Sequence, residues 1–540
     1  MKVILASTLA QLETEQLLRH TQDAETMSFK HSLVQETVYR SLLKSQRRAL
    51  HRTVAEALEQ LYADRKGKLS DVLAFHWEQA GVPDRARRYL FRAAQNALRR
   101  YANREALDLL TRALAQSEGV LPGERMAFYE ARARIFEFQS EYAQSLADYQ
   151  AALPLAREAN LAVDECRILS RIAWMYSLSG KSDLAIQLAG EVEALARTLQ
   201  DRTAVLRAYL VQGLVAQANG DLTVAYPRLR AALFASRMSD EPVMEGESWF
   251  YLGIQNNFMG RFGRAVVCAQ KAYEIKSGMS DHVGEIIALY LQARAEAGRG
   301  DYDAALNALE HGHTIAQEIN NPFGIAQYPN TRAWLAAELG DWQTAYELDC
   351  AGLEIARAAP IRPPEISTLI NLVLDCAALG KWTEADTYML QVQQWMGKPE
   401  FGFHAWRWQM RLTDAHAHLL IAQSLYEQAA SVVTGLLDWA ERTHATKYRA
   451  RGLMLRAQIH LANQALPSAD ADLRTAIHLA DVMNYIPIRL QARQLLARLC
   501  GDESALWRTQ AKHILADLQQ WVQHPELKRS LERGIGNYAD

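Results

Sequence analysis

Through the middle of the chain, small and apolar positions recur with a period of 40 residues. Within one unit the apolar residues step by three and four, as in Ile370, Leu374 and Ala377, the spacing that stacks side chains on one face of a helix. Each unit also carries two small residues twelve apart. Ala173, Gly213, Gly253, Ala293 and Ala333 hold the first place, where only Val373 departs; Ala185, Ala225, Ala265, Ala305, Ala345 and Ala385 hold the second. Between them stands a glycine: Gly180, Gly220, Gly260, Gly300, Gly340 or Gly380. The pattern predicts a helix, a turn at the glycine, and a second helix. Glycine supplies the left-handed backbone that ends the first helix, and the small residues let two helix backbones approach closely. Two residues after the glycine sit Leu222, Phe262, Tyr302, Trp342 and Trp382, expected to plug the seam between hairpins; Ser182 departs.

The same phase extends outward. Ala133, Ser140, Tyr142 and Ser145 match upstream, and Ala94 and Ala106 keep the spacing of twelve. Ala417, Tyr426 and Ala429 match downstream after a four-residue insertion, then Ala457 and Ala469. Self-similarity at this period means a repeat solenoid. The fold class is therefore all-α: a tetratricopeptide-like solenoid of about ten helical hairpins in a right-handed superhelix, with helices near 15–17 residues because the unit exceeds the usual 34 by about six. A poorly patterned hairpin over about Ile488–Val522 is expected to cap the apolar end. The expected organisation is a helical N-terminal cap over 1–62, repeats over 63–482, and a C-terminal capping hairpin and tail over 483–540, with at most a short strand near Met27–Lys30.

A solenoid offers a surface rather than a pocket, so the repeat phase also predicts the site. Positions six and three before the first small residue, and one and four after it, share one face. That face carries Arg167, Trp174, Arg207, Gln217, Glu247, Phe250, Asn257, Tyr290, Arg294, Gln327, Asn330, Trp334, Arg411, Asp414 and His418. A core face would be almost wholly aliphatic. Aromatics mixed with amides and charges instead suit a concave groove that binds a protein, a peptide or a small effector.

Composition narrows the setting. A net charge of −3 opposes binding of nucleic acid along the whole length. Residues 1–110 are locally basic, with 18 Lys and Arg against 13 Asp and Glu; this end is either a solvated helix face or a docking face for an acidic partner. No apolar run reaches the 18 residues of a membrane span. The five cysteines are scattered and never paired as CxxC, which suits a reducing cytoplasm.

Residues 28–59 carry Phe29, His31, Val34, Glu36, Tyr39, Leu42, Arg47, Leu50, His51, Ala55 and Leu58. This string resembles the junction in large signal-transduction ATPases with numerous domains, including LuxR-type ATP-binding regulators and cyclase-associated ATPases. There it ends a winged-helix domain and leads into tetratricopeptide repeats, which implies that residues 1–62 hold a remnant of that winged-helix domain. Asp71–Leu114 is similar to that family's first repeats, and His524–Gly534 to its chain ends. The resemblance implies a sensor or scaffold module of signal transduction or transcriptional regulation, or else the C-terminal part of a split ATPase or nucleotide cyclase, with an ATPase domain docking on residues 1–110. It reaches only the C-terminal half of such a protein, so a truncated reading frame, a split-gene product and a fragment all remain open.

Catalytic and cofactor chemistry find no support. Gly180-Lys181-Ser182 ends like a phosphate-binding loop, but Met175 stands where the motif needs its first glycine. In His311/His313 and His416/His418 the spacing of two points the rings to opposite helix faces, so neither pair can share a metal ion. No enzymatic activity, cofactor or metal is expected.

Overall fold

A computed structural model describes the chain apart from residues 1, 21–26, 63–68, 101, 140, 180, 201, 359–361, 397–404, 500, 502 and 540; Gly180, Ser140 and Tyr101 thus lie outside the described residues. The chain packs as two units, Met1–Arg132 and Ala133–Asp540.

The first unit opens with the helix Lys2–Thr14 and a two-stranded antiparallel ribbon that pairs Leu18 with Phe29 and His20 with Met27. The strand expected near Met27–Lys30 therefore has a partner, Leu18–His20, that periodicity did not reveal. Helices Ser32–Ser41, Lys44–Leu61, Ser70–Ala80, Pro83–Arg99 and Asn103–Ala115 follow. One buried cluster joins Ala55, Leu73, Trp77 and Ala86, and Leu90, Ala94, Ala97, Ala106, Leu110 and Ala113 are buried further along. Trp77 donates its indole N–H to Glu59 (3.0 Å), which satisfies the polar end of a buried aromatic.

The second unit is an all-α solenoid of hairpins. Most of its helices are 17 residues long, as in Pro242–Phe258, Phe262–Gly278, His282–Gly298, Tyr302–Glu318 and Pro322–Glu338. Gly260 and Gly300 end their helices at φ of 71° and 87°. In the second case the Asp301 and Gly300 amides donate to Glu296 and Ala297 (3.0 Å each), the paired bonds of a Schellman cap. The small-residue rule holds as packing: Ala173, Ala185, Ala225, Ala265, Ala293, Ala305, Ala333, Ala345 and Ala385 are all at 0% exposure. A Cβ on Gly253 would come within 2.8 Å of Leu291, so glycine there permits the close helix approach.

The opposite turns share a second signal at the same period. Asn160, Gln200, Asp240, Ser280 and Asn320 all adopt φ between 49° and 55°. They join one hairpin to the next in the left-handed region with polar residues that tolerate it unequally.

The solenoid returns on itself. Trp406 donates its indole N–H to the Gln217 carbonyl (2.9 Å), and the Asn484 amide donates to the Arg299 carbonyl (2.6 Å). Arg332 pairs with Glu526 (2.5 Å), and Arg533 donates to Thr344 (2.8 Å). These partners lie 185 to 194 residues apart, so a superhelical turn comprises between four and five units. The glycine turns form the seam. Gly220 faces Trp406 and Thr443, Gly260 faces Met483, and Gly300 faces Ile486.

The return adds to two expectations. Leu222, Phe262 and Tyr302 share buried clusters with Trp406, Tyr485 and Ile486 of the later turn respectively, while the Phe262 ring also fills the seam to the next hairpin against Gly298. Trp342 is only half-buried and Trp382 is 45% exposed. Nothing lies within 4 Å of a Cβ placed on Gly380, so Trp382 has the motif without the cover. The C-terminal segment likewise does more than cap an end. After helices Ile486–Leu499 and Ser504–Trp521, helix Pro525–Ala539 buries Leu527 and Leu531 in one cluster with Leu335 and Leu339. Asp303 receives the Gln523 (2.7 Å) and His524 (3.2 Å) amides where that helix begins.

Candidate functional site

The first helices of successive hairpins line the inside of the solenoid, and the return brings two sets of them face to face. Helices Pro242–Phe258, His282–Gly298 and Pro322–Glu338 form one wall, while Ala405–Ala422 and Thr446–Ala462 form the other. Lys447 reaches Glu338 (3.4 Å) across the gap, and Tyr485 donates to the same carboxylate (2.8 Å). The space between is a narrow axial cavity of about 20 Å³ lined by Asn257, Phe258, Phe262, Arg294, Trp334, Lys447 and Tyr448. That is room for about one water-sized group. The expected groove is narrow where these two walls meet.

The residues singled out by the repeat phase divide into three groups. Asn257, Arg294, Trp334, Arg411, Asp414 and His418 come together at or beside the axis. Arg294 lies over the Trp334 ring (5.8 Å), and Arg411 donates to Asn371 (2.8 Å) and Ser367 (3.2 Å). Asp414 is gripped by Arg451 through Nε and Nη2 (2.9 and 2.6 Å), and His418 stands 3.4 Å from the same guanidinium.

A second group is interior instead, which corrects its assignment to a ligand-facing surface. Tyr290 is 5% exposed in the aliphatic core and donates its hydroxyl to the Gly324 carbonyl (2.6 Å). Gln327 and Asn330 are buried and bond to each other (2.8 Å), and Asn330 passes a bond on to Asp349 (3.2 Å). The physical reason is angular. The face spans about 100° of each helix, and Tyr290, Gln327 and Asn330 lie on the flank of it that packs against neighbouring helices.

The third group lies toward the first repeats of this unit and has internal partners. Arg167 pairs with Asp164 (2.6 Å), and Glu247 receives Lys276 (2.7 Å). Gln217 donates to the Tyr251 carbonyl (2.9 Å). Trp174 meets Tyr251 edge-on, and Phe250 packs beside Ile254. Arg207 is half-buried on the same face.

Four axial residues escaped the sequence reading: Arg407, Lys447, Arg451 and Glu338. The signal was present. Arg407 lies one helical turn before Arg411, while Lys447 and Arg451 lie ten and six before Ala457. Extending the inward face one turn in each direction recovers them.

The electrostatics of this cluster are one-sided. Burial, aided by Arg411, pushes the Arg294 guanidinium down to about 10. Burial and then Arg294 push Arg407 down to about 9. Burial, with Arg451 and Arg294 adding to it against Glu338, brings Lys447 to about 8. All three stay mainly charged at neutral pH, but desolvation and like charge penalise them. His418 is driven to about 4 by burial and is neutral. Burial raises Asp414, yet Arg451 and then His418 outweigh it and leave the carboxyl below its ordinary range.

Behind the wall lies a different pair. Asp349 and Asp375 are buried at 0% and 1% exposure. Burial holds both well above the usual carboxylate range, and for Asp375 the neighbouring Asp349 adds to it. Like charges this close are accommodated by keeping a proton.

No family model and no curated protein sequence matches the chain. Among solved structures, a Rap protein complexed with competence and sporulation factor is 14% identical over 67% of this chain and 99% of that one, with a TM-score of 0.52. A signal transduction ATPase with numerous domains that carries a tetratricopeptide repeat sensor, from Pyrococcus horikoshii, is 14% identical over 72% of this chain and 58% of that one, with a TM-score of 0.43. The apo quorum sensor NprR from B. thuringiensis is 15% identical over 64% and 98%, with a TM-score of 0.41. The first of these likenesses is one of fold: the chain is a tetratricopeptide-like helical solenoid.

Proposed function

We propose that the chain is a non-catalytic regulatory module whose solenoid binds a peptide segment of a partner, or a small effector, along its inner face. The observation that carries this reading is the composition of that face. Phe250, Asn257, Arg294, Trp334 and Arg411 remain half-buried where a purely structural solenoid would close over aliphatic side chains. Aromatic and arginine anchors around a desolvated centre are the usual seat of binding energy. The Rap protein of similar fold was solved with a bound factor, which supports the same use of the scaffold here. The module is assigned to the cytoplasm on its scattered cysteines, of which Cys166, Cys268, Cys350 and Cys376 are free. It neither binds nor hydrolyses ATP: before the Gly180–Ser182 triplet stand Met175 in place of the first glycine and the helix Ala162–Leu178 where a phosphate-binding loop needs a strand.

The test is selection of peptides from a random display library on the full chain, followed by affinity measurements on variants. Trp334→Ala and Phe250→Ala should each weaken the selected peptides by about 30-fold, the scale of a binding hot spot. Peptides that bind both variants as well as they bind the parent would sink the reading. ATP turnover that disappears in Lys181→Ala would do so as well.

A second surface supports the split-complex alternative. In the first unit Leu33, Leu43, Leu50, Leu61 and Phe75 are 73%, 67%, 52%, 75% and 48% exposed. Helix Ser32–Ser41 buries none of its residues. Large apolar side chains exposed in this number favour an interaction site, and an ATPase domain of a signal-transduction or cyclase complex is the partner proposed for residues 1–110. Co-expression with such a domain should protect Leu33–Leu61 from proteolysis; equal cleavage with and without it would remove this alternative.

A further inference from the structure

Two neighbouring turns of the solenoid are built from the same residues. One reads Leu339-Gly340-Asp341-Trp342 and the other Leu379-Gly380-Lys381-Trp382, and the glycines adopt φ of 84° and 72°. The first turn is occupied. Helix Pro525–Ala539 lies across it, with Gly534 so close to the Leu339 and Gly340 backbone that a Cβ there would clash. Leu527 and Leu531 of that helix share a buried cluster with Leu339. Arg533 donates to Thr344 (2.8 Å) and stands 3.7 Å from Asp341.

At the second turn the same features are open. Leu379 is half-buried where Leu339 is at 0% exposure. Gly380 is exposed where Gly340 is buried, and Ala378 beside it is exposed too. Trp382 stands in solvent next to them. A glycine turn admits the close approach of a second backbone, and an indole beside a leucine offers the apolar anchors that an amphipathic helix lays its face against. One substitution sets the charge of the guest. Where Asp341 faces Arg533, the second turn has Lys381, whose ammonium lies over the Tyr346 ring (3.5 Å). Glu384, in the place of Thr344, already accepts the Tyr346 hydroxyl (2.6 Å). A helix seated here therefore meets a cation where Pro525–Ala539 meets a carboxylate.

We propose that the Gly380 turn is a second helix seat on the edge of the solenoid, filled by an amphipathic helix of a partner protein. That helix presents apolar residues spaced by four to Leu379 and Trp382, a small residue to Gly380, and an acidic side chain to Lys381. It continues, one repeat further on, the cover that Pro525–Ala539 provides at Gly340. The seat is separate from the inner face and does not depend on what binds there.

The probes are two dye-labelled synthetic peptides of residues 524–539, one with the sequence of the chain and one carrying Arg533→Glu. Each is titrated with the full chain and followed by fluorescence anisotropy. The Arg533→Glu peptide should bind saturably and roughly five-fold more tightly than the unsubstituted one, the scale of an exposed ion pair. Trp382→Ala in the chain should weaken it by about 30-fold, as loss of an aromatic anchor does, with the melting temperature unchanged. Lys381→Glu should reverse the order of the two peptides, which a merely structural lysine would not do. Sedimentation of the parent and of Trp382→Asp identifies the partner. Self-association that the substitution abolishes assigns the guest helix to a second copy of this chain, and a monomer that binds the peptide assigns it to another protein. The proposal is overturned if neither peptide binds, if Trp382→Ala binds the Arg533→Glu peptide as the parent does, or if Lys381→Glu leaves the order of the peptides unchanged.

Discussion

Tyr302 and Trp382 occupy the same place in two hairpins built on the same plan. Each follows a left-handed glycine by two residues, and each faces the outer seam of its turn. Tyr302 is 1% exposed and Trp382 is 45% exposed. Local sequence does not account for the difference, since Ala305 and Ala385, three residues further on, are equally buried at 0%. What differs is the cover. Ile486, Leu518 and Val522 belong to the core around Tyr302, whereas among the described residues nothing lies within 4 Å of a Cβ placed on Gly380. A repeat thus encodes its own hairpin, while the burial of its outer positions depends on residues nearly two hundred places away.

The sharpest way to break this comparison is to truncate both aromatics. Tyr302→Ala should cost about 3–5 kcal/mol, as large-to-small changes in a closed core do, while Trp382→Ala should fall within about 0.5 kcal/mol of the parent, as exposed changes do. Denaturant midpoints decide it, and equal losses would show that the return contact does not bury Tyr302. The inner seam should behave oppositely. Ala305→Leu and Ala385→Leu should both overpack by about 1–3 kcal/mol, and a parent-like melting curve for either would remove the small-residue argument at that position.

A smaller effect separates the covered region from the rest. Asp303→Ala removes the acceptor for the Gln523 and His524 amides and should cost about 1 kcal/mol, the scale of a lost helix cap. Hydrogen exchange should quicken in Pro525–Ala539 and around Tyr302 but not around Trp382; uniform quickening would contradict a local strap.

The smallest effect lies in the uncovered region, where Asp349 and Asp375 are held protonated above their ordinary range. In the unfolded chain such carboxyls ionise near pH 4. Above that pH the folded state keeps more protons, so stability falls as pH rises toward the raised native value. Asp375→Asn removes this term and should raise the melting temperature more at pH 7.5 than at pH 4. A pH-independent change would show that the pair is not protonated.

Much of this was legible in the chain and some was not. Hairpins, their glycines and the buried alanines follow from nearest-neighbour contacts that recur every 40 residues, so periodicity exposes them. Arg294, Trp334, Arg411 and Asp414 were found as inward-facing for the same reason. Tyr290 and Asn330 were misplaced because a 3–4 spacing defines a face about 100° wide, and its edge already belongs to the next hairpin. The second series of left-handed turns, Asn160 to Asn320, hides because five positions are filled by four residue types. The closing contacts between Trp406 and Gln217, or Glu526 and Arg332, have no periodic signature. They join residues unrelated by the repeat.

The strap from Pro525 to Ala539 has a consequence for how the protein is made. An open solenoid can fold unit by unit as it leaves the ribosome, because each repeat needs only its neighbour. Here Phe262 and Tyr302 must wait for Tyr485, Ile486 and Leu531, so their hairpins stay greasy on one edge until that later segment has been made. Contacts of such long reach form late and slowly, and exposed apolar edges invite aggregation meanwhile. This unit gives up the tolerance of an open-ended array, and loss of helix Pro525–Ala539 is felt around Tyr302.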